Sequence, residues 1–264
     1  MFAWQPLSPR GIAAFATAPL KSLLWVQFVF ALIAALIFIW FLHSAWFPVI
    51  TRAVNGLPTT GEFRRGVLQW PGDSTKALAD NRFLALSIDL EHRGQARSPS
   101  DLTIELGHDR AKLFSLLGYI QLKYPSSWRI AFNHDELVPW WGAWSPALLA
   151  IGGGLLLISL MLSWAALATI YLLPAWVVGF LANREPSLSG SLRLCGASLM
   201  PGALFLTAGL LLYGLGALDL IQFGFVFTLH FLVGWVFVFL AVFKLPPQTK
   251  ALPAEANPFV SKSP

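Results

Sequence analysis

Residues 23–47, LLWVQFVFALIAALIFIWFLHSAWF, contain no formally charged side chain. A helix rises 1.5 Å per residue and the hydrocarbon core of a bilayer is about 30 Å thick, so roughly 20 apolar residues cross it. A secretory leader carries an apolar stretch of about 7–15 residues that ends in a small-x-small cleavage site. This stretch is longer and ends on His43, Trp46 and Phe47, so an uncleaved signal anchor is expected.

Two further uncharged regions extend the pattern. Residues 146–182 would make a helix of roughly 55 Å, too long for one span and too short for two with a turn. Pro174 lacks an N–H and crowds the preceding turn, so the span is expected at 146–173, with PAWVVGF lying near the interface. Residues 198–243 hold one charge, Asp219, and suffice for two spans, 198–218 and 219–243, joined at GLGALD. With 56% hydrophobic and 12% charged residues, the composition lies outside the range of water-soluble domains.

Four spans put both ends on one side. On that side the short segments carry Arg10, Lys21, Arg184, Arg193, Lys244, Lys250 and Lys262 against Glu185 and Glu255, which accounts for the whole net charge of +5. Lysine and arginine favour cytoplasmic loops, so both termini are expected to be cytoplasmic and residues 48–145 extracytoplasmic. Residues 1–22 then form a cytoplasmic segment able to lie at the interface, 174–197 a cytoplasmic or interfacial connection, and 244–264 a disordered cytoplasmic tail. The basic balance needs no nucleic acid. Cys195 is the sole cysteine, so the outer region contains no disulfide.

Residues 48–145 read as β-rich. Leu84, Leu86, Ile88 and Leu90 alternate with Phe83, Ala85, Ser87 and Asp89, and DLTIELGHD repeats the alternation, so two strands joined through RGQARSPS predict a hairpin with a long loop. Further strands are expected at 63–70, 113–117, 119–124 and within SSWRIAF. The fold class is therefore a four-helix integral membrane bundle carrying a small, mostly antiparallel, β-rich extracytoplasmic domain.

Trp140, Trp141 and Trp144 fall at the outer end of the second span, at the depth of Trp40 and Trp46 on the first. Amphipathic indoles concentrate at that depth, so a membrane-interface belt is the favoured reading over a sugar platform beside Asp135 and Glu136. Adjacent carboxylates rarely face each other across a scissile bond. NHDEL reads more simply as a helix start capped by Asn133 or Asp135. His92, His108 and His134 have no metal-ligand spacing, and no nucleophile elbow or phosphate loop occurs. No catalytic residue, cofactor or metal set is expected, and glycines 152–154 read as a close helix contact.

His230 falls near the middle of the fourth span, where an ionisable group is costly. The favoured reading is a neutral imidazole hydrogen-bonded to Ser159 or Ser163, with Gly224 and Thr228 forming a small-residue helix contact beside it.

One span, a β-rich domain with an SIDL strand, then three spans with SLRLCGASLMPGALF opening the third: this layout resembles an uncharacterised family of bacterial four-pass membrane proteins, some labelled maltodextrin-utilisation proteins. The last two spans are similar to the Yip-type bundle. The family's aspartate-threonine pair reads Asp89-Leu90 here, and no site residue carries over. The resemblance implies a multi-pass protein of the bacterial plasma membrane without an enzymatic role. The expected function is to present the outer domain for assembly, envelope sensing or as a transporter accessory. The expected partners are the lipid bilayer and another membrane protein or a second copy. A small oligomeric transporter or channel and an envelope enzyme acting on a saccharide are the alternatives.

Overall fold

The computed structural model describes residues 5–96, 98–184 and 187–247. Arg97, Glu185 and the tail with Lys250 and Lys262 lie outside them. Among the described residues, four helical stretches, Leu20–Asn55, His134–Leu181, Leu188–Gly214 and Leu220–Val242, are long and apolar enough to cross a membrane. Contacts divide the chain into two units, one drawn from Met1–Gln27, Leu162–Ala203 and His230–Pro264, the other from Phe28–Met161 and Leu204–Leu229.

In the first unit, a short helix α1 (Pro9–Ala14) starts at Ser8, whose hydroxyl accepts the Gly11 amide. It leads into α2 (Leu20–Phe41). The helix α4 (His134–Leu181) does not stop at Pro174, contrary to expectation. Trp164, Ala168, Tyr171 and Ala175 form one buried stripe that crosses the proline. Packing along that stripe outweighs the single backbone bond a proline removes. The connection to α5 (Leu188–Gly214) accordingly spans only residues 182–187. In α5, Leu194, Cys195, Ala197 and Met200 are fully enclosed. Small residues let its neighbours close in: Gly196 meets Leu23 and Gln27 of α2, and Gly202 lies against the His230 carbonyl of α6 (Leu220–Val242). Tyr171 and Trp235 pack with ring centroids 4.2 Å apart.

In the second unit, α2 continues through a π-helical turn (Leu42–Trp46) into α3 (Phe47–Asn55). A Cβ on Gly153 of α4 would overlap Ile39, so that glycine does permit close helix contact. Gly214 faces Trp40 and Phe41 in the same way. The α5–α6 turn falls at 215–219, within the expected GLGALD, where Gly216 adopts φ 77°.

Among the described residues, eight strands complete this unit. β1 (Glu62–Arg64), β2 (Val67–Gln69) and β8 (Arg129–Ala131) form an antiparallel sheet in the order β2-β1-β8. β3 (Thr75–Asp80), β4 (Leu84–Asp89), β5 (Leu102–Leu106), β6 (Arg110–Ser115) and β7 (Gly118–Lys123) form a second sheet in chain order. Residues 63–70 are thus a hairpin, turning at Arg65 and Gly66 with φ 53° and 78°, rather than one strand. Phe63, Leu68 and Ile88 form the core, surrounded by Trp70, Leu78, Leu106, Tyr124 and Phe132.

The expected β4–β5 hairpin is not formed: these strands are parallel, with Ser87 beside Glu105. The twelve-residue connection 90–101 is long enough for a crossover. Two buried carboxylates fasten it to the sheet. Asp89 accepts the Gly94 amide at 2.6 Å, and Glu105 meets His92 Nδ1 at 2.5 Å. The alternation in these strands therefore encodes two buried faces, one of them polar, rather than one buried and one wet.

Candidate functional site

The β3–β4 turn, Asp80–Asn81–Arg82–Phe83, joins the sheet to the helix ends of its unit. Asn81 Nδ2 donates to the Ala45 carbonyl at 2.5 Å, in the π-helical turn. Its Oδ1 accepts the amides of Phe83 and Leu84, both at 2.9 Å, which holds the turn in shape. The Arg82 guanidinium donates to the carbonyls of Gly216 and Leu218, at 3.0 and 2.5 Å. Both carbonyls belong to the α5–α6 turn, whose backbone the guanidinium bridges. Phe83 sits edge-on to Phe41 and Tyr213, and the Tyr213 hydroxyl donates to Asp101 at 2.7 Å. Arg52 adds a bond to the Asp80 carbonyl at 2.8 Å.

A cavity of about 780 Å³ opens on the sheet domain, lined among others by Glu62, Gln69, Trp70, His108 and Asn133. Its walls mix apolar and hydrogen-bonding groups, as recognition sites do. Close by in sequence, Asp109 and Arg110 form an ion pair at 2.7 Å, which lowers the Asp109 carboxyl below its ordinary value. Tyr124 donates to the Gly107 carbonyl at 3.2 Å, and burial raises its phenol well above the ordinary value.

The groups with most chemical potential are enclosed. Asp89 and Glu105 are fully buried, and Ser87 lies beside them. His92, with φ 56°, presses its Nε2 edge on Gly107, where any side chain would overlap the imidazole. Ser87 Oγ, Asp89 Oδ1, Glu105 Oε2 and His92 Nε2 each lack a partner among the described residues. This arrangement orients a histidine with a carboxylate, but Gly107 blocks the imidazole's second nitrogen, where a general base would take its proton. Its visible consequence is the capture of the crossover.

The indoles divide. Trp140 and Trp144 are exposed on α4, and Trp40 is over a third exposed while packing on Gly214. Trp46 is half-buried against Phe41. Trp141 is pinned: its Nε1 donates to Thr51 Oγ1 at 2.9 Å and its ring lies 4.9 Å from Phe47. Asn133 caps α4 by accepting the Glu136 amide at 3.0 Å. Asp135 is exposed and pairs with its neighbour His134 at 3.1 Å. His230 is half-buried beside Phe231, with its carbonyl under Gly202. Ser159 and Ser163 are exposed on α4. Gly224 and Thr228 do not form the expected helix contact, since a Cβ on Gly224 would meet nothing within 4 Å.

Sequence reading missed the turn 80–83 as an attachment point, because Arg82 and Phe83 fit the start of a strand. The signal available was the Asp-Asn pair before them, a turn-forming dipeptide. Family models, curated proteins and solved structures yield no match to this chain.

Proposed function

We propose that the chain is a non-enzymatic multi-pass protein of the bacterial plasma membrane, both termini cytoplasmic, that presents its sheet domain outside for assembly, envelope sensing or as an accessory to a transporter. The observation that carries this reading is the clamp at 80–83: Arg82 on the Gly216 and Leu218 carbonyls and Asn81 on the Ala45 carbonyl. A clamp of this kind holds the domain in one orientation at the helix ends, which suits a surface offered to a partner more than a tethered domain free to search. The open cavity beside Trp70 and His108 is the recognition surface in this reading.

The test is site-specific photo-crosslinking from Gln69 in native membranes. An adduct of one discrete mass that is lost on Trp70→Ala supports the reading. Turnover of a saccharide by the purified protein, abolished by Glu136→Gln, overturns it in favour of an enzyme.

A further inference from the structure

The β6–β7 hairpin turns through Leu116 and Leu117, with Ser115 paired to Gly118. Two-residue hairpin loops ordinarily use Asn, Asp and Gly. Two leucines here, with Leu117 97% exposed, are costly in water. The tip stands next to the start of α6: a groove of about 390 Å³ is lined by Leu116, Leu117, Ile221, Gly224, Phe225 and Thr228 among others. Thr228 returns its hydroxyl to the Gly224 carbonyl at 3.1 Å and so offers the groove no free donor.

A second, polar cavity of about 460 Å³ adjoins it, sharing Ser115, Leu116, Leu220 and Ile221. This one is lined by Ser98, Ser100, Asp101, Thr103 and Asp219, and among the described residues neither cavity has a lysine, arginine or histidine in its wall. One oxygen of each carboxylate is engaged: Asp101 Oδ2 by Tyr213 and Asp219 Oδ1 by the Gln222 amide. The other oxygen of each takes no hydrogen bond among the described residues. Thr103, 4% exposed, lines this cavity with a hydroxyl that likewise has no partner among the described residues.

We propose that this two-part cleft binds one membrane lipid bearing an ammonium head: the acyl chain lies in the groove between the leucine tip and α6, and the ammonium sits between Asp101 and Asp219. The proposal rests on the reading of α6 as a membrane span, which sets Asp219 at the boundary and Phe225 within the hydrocarbon. An apolar groove adjoining a polar pocket matches an amphiphile, and two carboxylates, each with an oxygen that takes no hydrogen bond among the described residues, favour a cation. Arg82 directs its guanidinium to the Gly216 and Leu218 carbonyls, and no ion pair joins it to Asp101 or Asp219 among the described residues. Gly224 then serves to leave room for a chain, which explains its lack of a helix contact.

The test uses the full chain in a mild detergent, offered dioleoyl phosphatidylethanolamine, phosphatidylcholine or phosphatidylglycerol, with retained lipid counted by native mass spectrometry. One phosphatidylethanolamine should be retained at least tenfold above either other lipid, because its ammonium keeps N–H donors and phosphatidylglycerol has no cation. Gly224→Leu should fill the groove and lower retention at least tenfold with an unchanged Tm. Asp219→Asn preserves the α6 cap and should erase the preference among heads. Equal retention of the three lipids, or full retention in Gly224→Leu, overturns the site. If the lipid is not retained while reporters at Gln95 and Pro264 score on opposite sides, the site fails and the membrane reading stands; same-side scores defeat both.

Discussion

Tyr213, at the end of α5, donates its hydroxyl to Asp101, at the start of β5, at 2.7 Å, across 112 residues of chain. It stands beside Phe83 and Phe41, so one aromatic group and one hydrogen bond tie the sheet to helices α2 and α5. Tyr213→Phe keeps the ring and removes the bond, and should cost about 1 kcal/mol. Arg82→Ala removes two bonds from an exposed side chain and should cost a similar amount. Hydrogen exchange should report both as lost protection at the β3–β4 turn, with β1, β2 and β8 unaffected.

The buried carboxylates give a sharper contrast. His92→Ala leaves Glu105 buried without its partner and should destabilise the sheet domain by about 3–5 kcal/mol. Replacing both partners by apolar side chains, as His92→Leu with Glu105→Leu, should recover much of that loss. Chemical denaturation followed by tryptophan fluorescence measures the two. A double variant less stable than His92→Ala by several kcal/mol would show that the crossover needs the carboxylate for more than pairing.

Glycines separate packed from open faces of the helices. Gly153→Leu forces a side chain into Ile39 and Gly209→Leu into Val226, so each should lower the Tm by several degrees. Gly224→Leu, with nothing within 4 Å of its Cβ, should leave the Tm within a degree or two.

Alkaline pH should act through Tyr124. Below its ordinary value of 10.0 the phenol is protonated in folded and unfolded chains alike, so it contributes no pH dependence there. As pH rises past 10.0, the unfolded chain releases the proton while burial retains it in the folded domain, and stability falls. Denaturant midpoints measured between pH 9 and 11 should decline, and Tyr124→Phe should reduce the slope. An unchanged slope in Tyr124→Phe would assign the decline to other groups.

The sequence by itself determined the four long apolar helices, their approximate order and the turn at 215–219, because uncharged runs of this length leave little alternative. It also determined the presence of strands, a helix start capped by Asn133 or Asp135, and the close helix contact at glycines 152–154; the structure chose Asn133 and Gly153. What only the tertiary structure decided follows from contacts between distant residues. The course of α4 through Pro174 depends on a stripe packed against other helices, which local propensity does not contain. The parallel pairing of β4 and β5 depends on Asp89 and Glu105 capturing the connection, whereas a period of two specifies a strand and not its neighbour. The site at the hairpin tip was invisible for the same reason. Leu116, Asp101 and Phe225 lie far apart in the chain, and no spacing rule links them. They line two adjoining cavities because β6 and β7 carry the leucine tip to the start of α6.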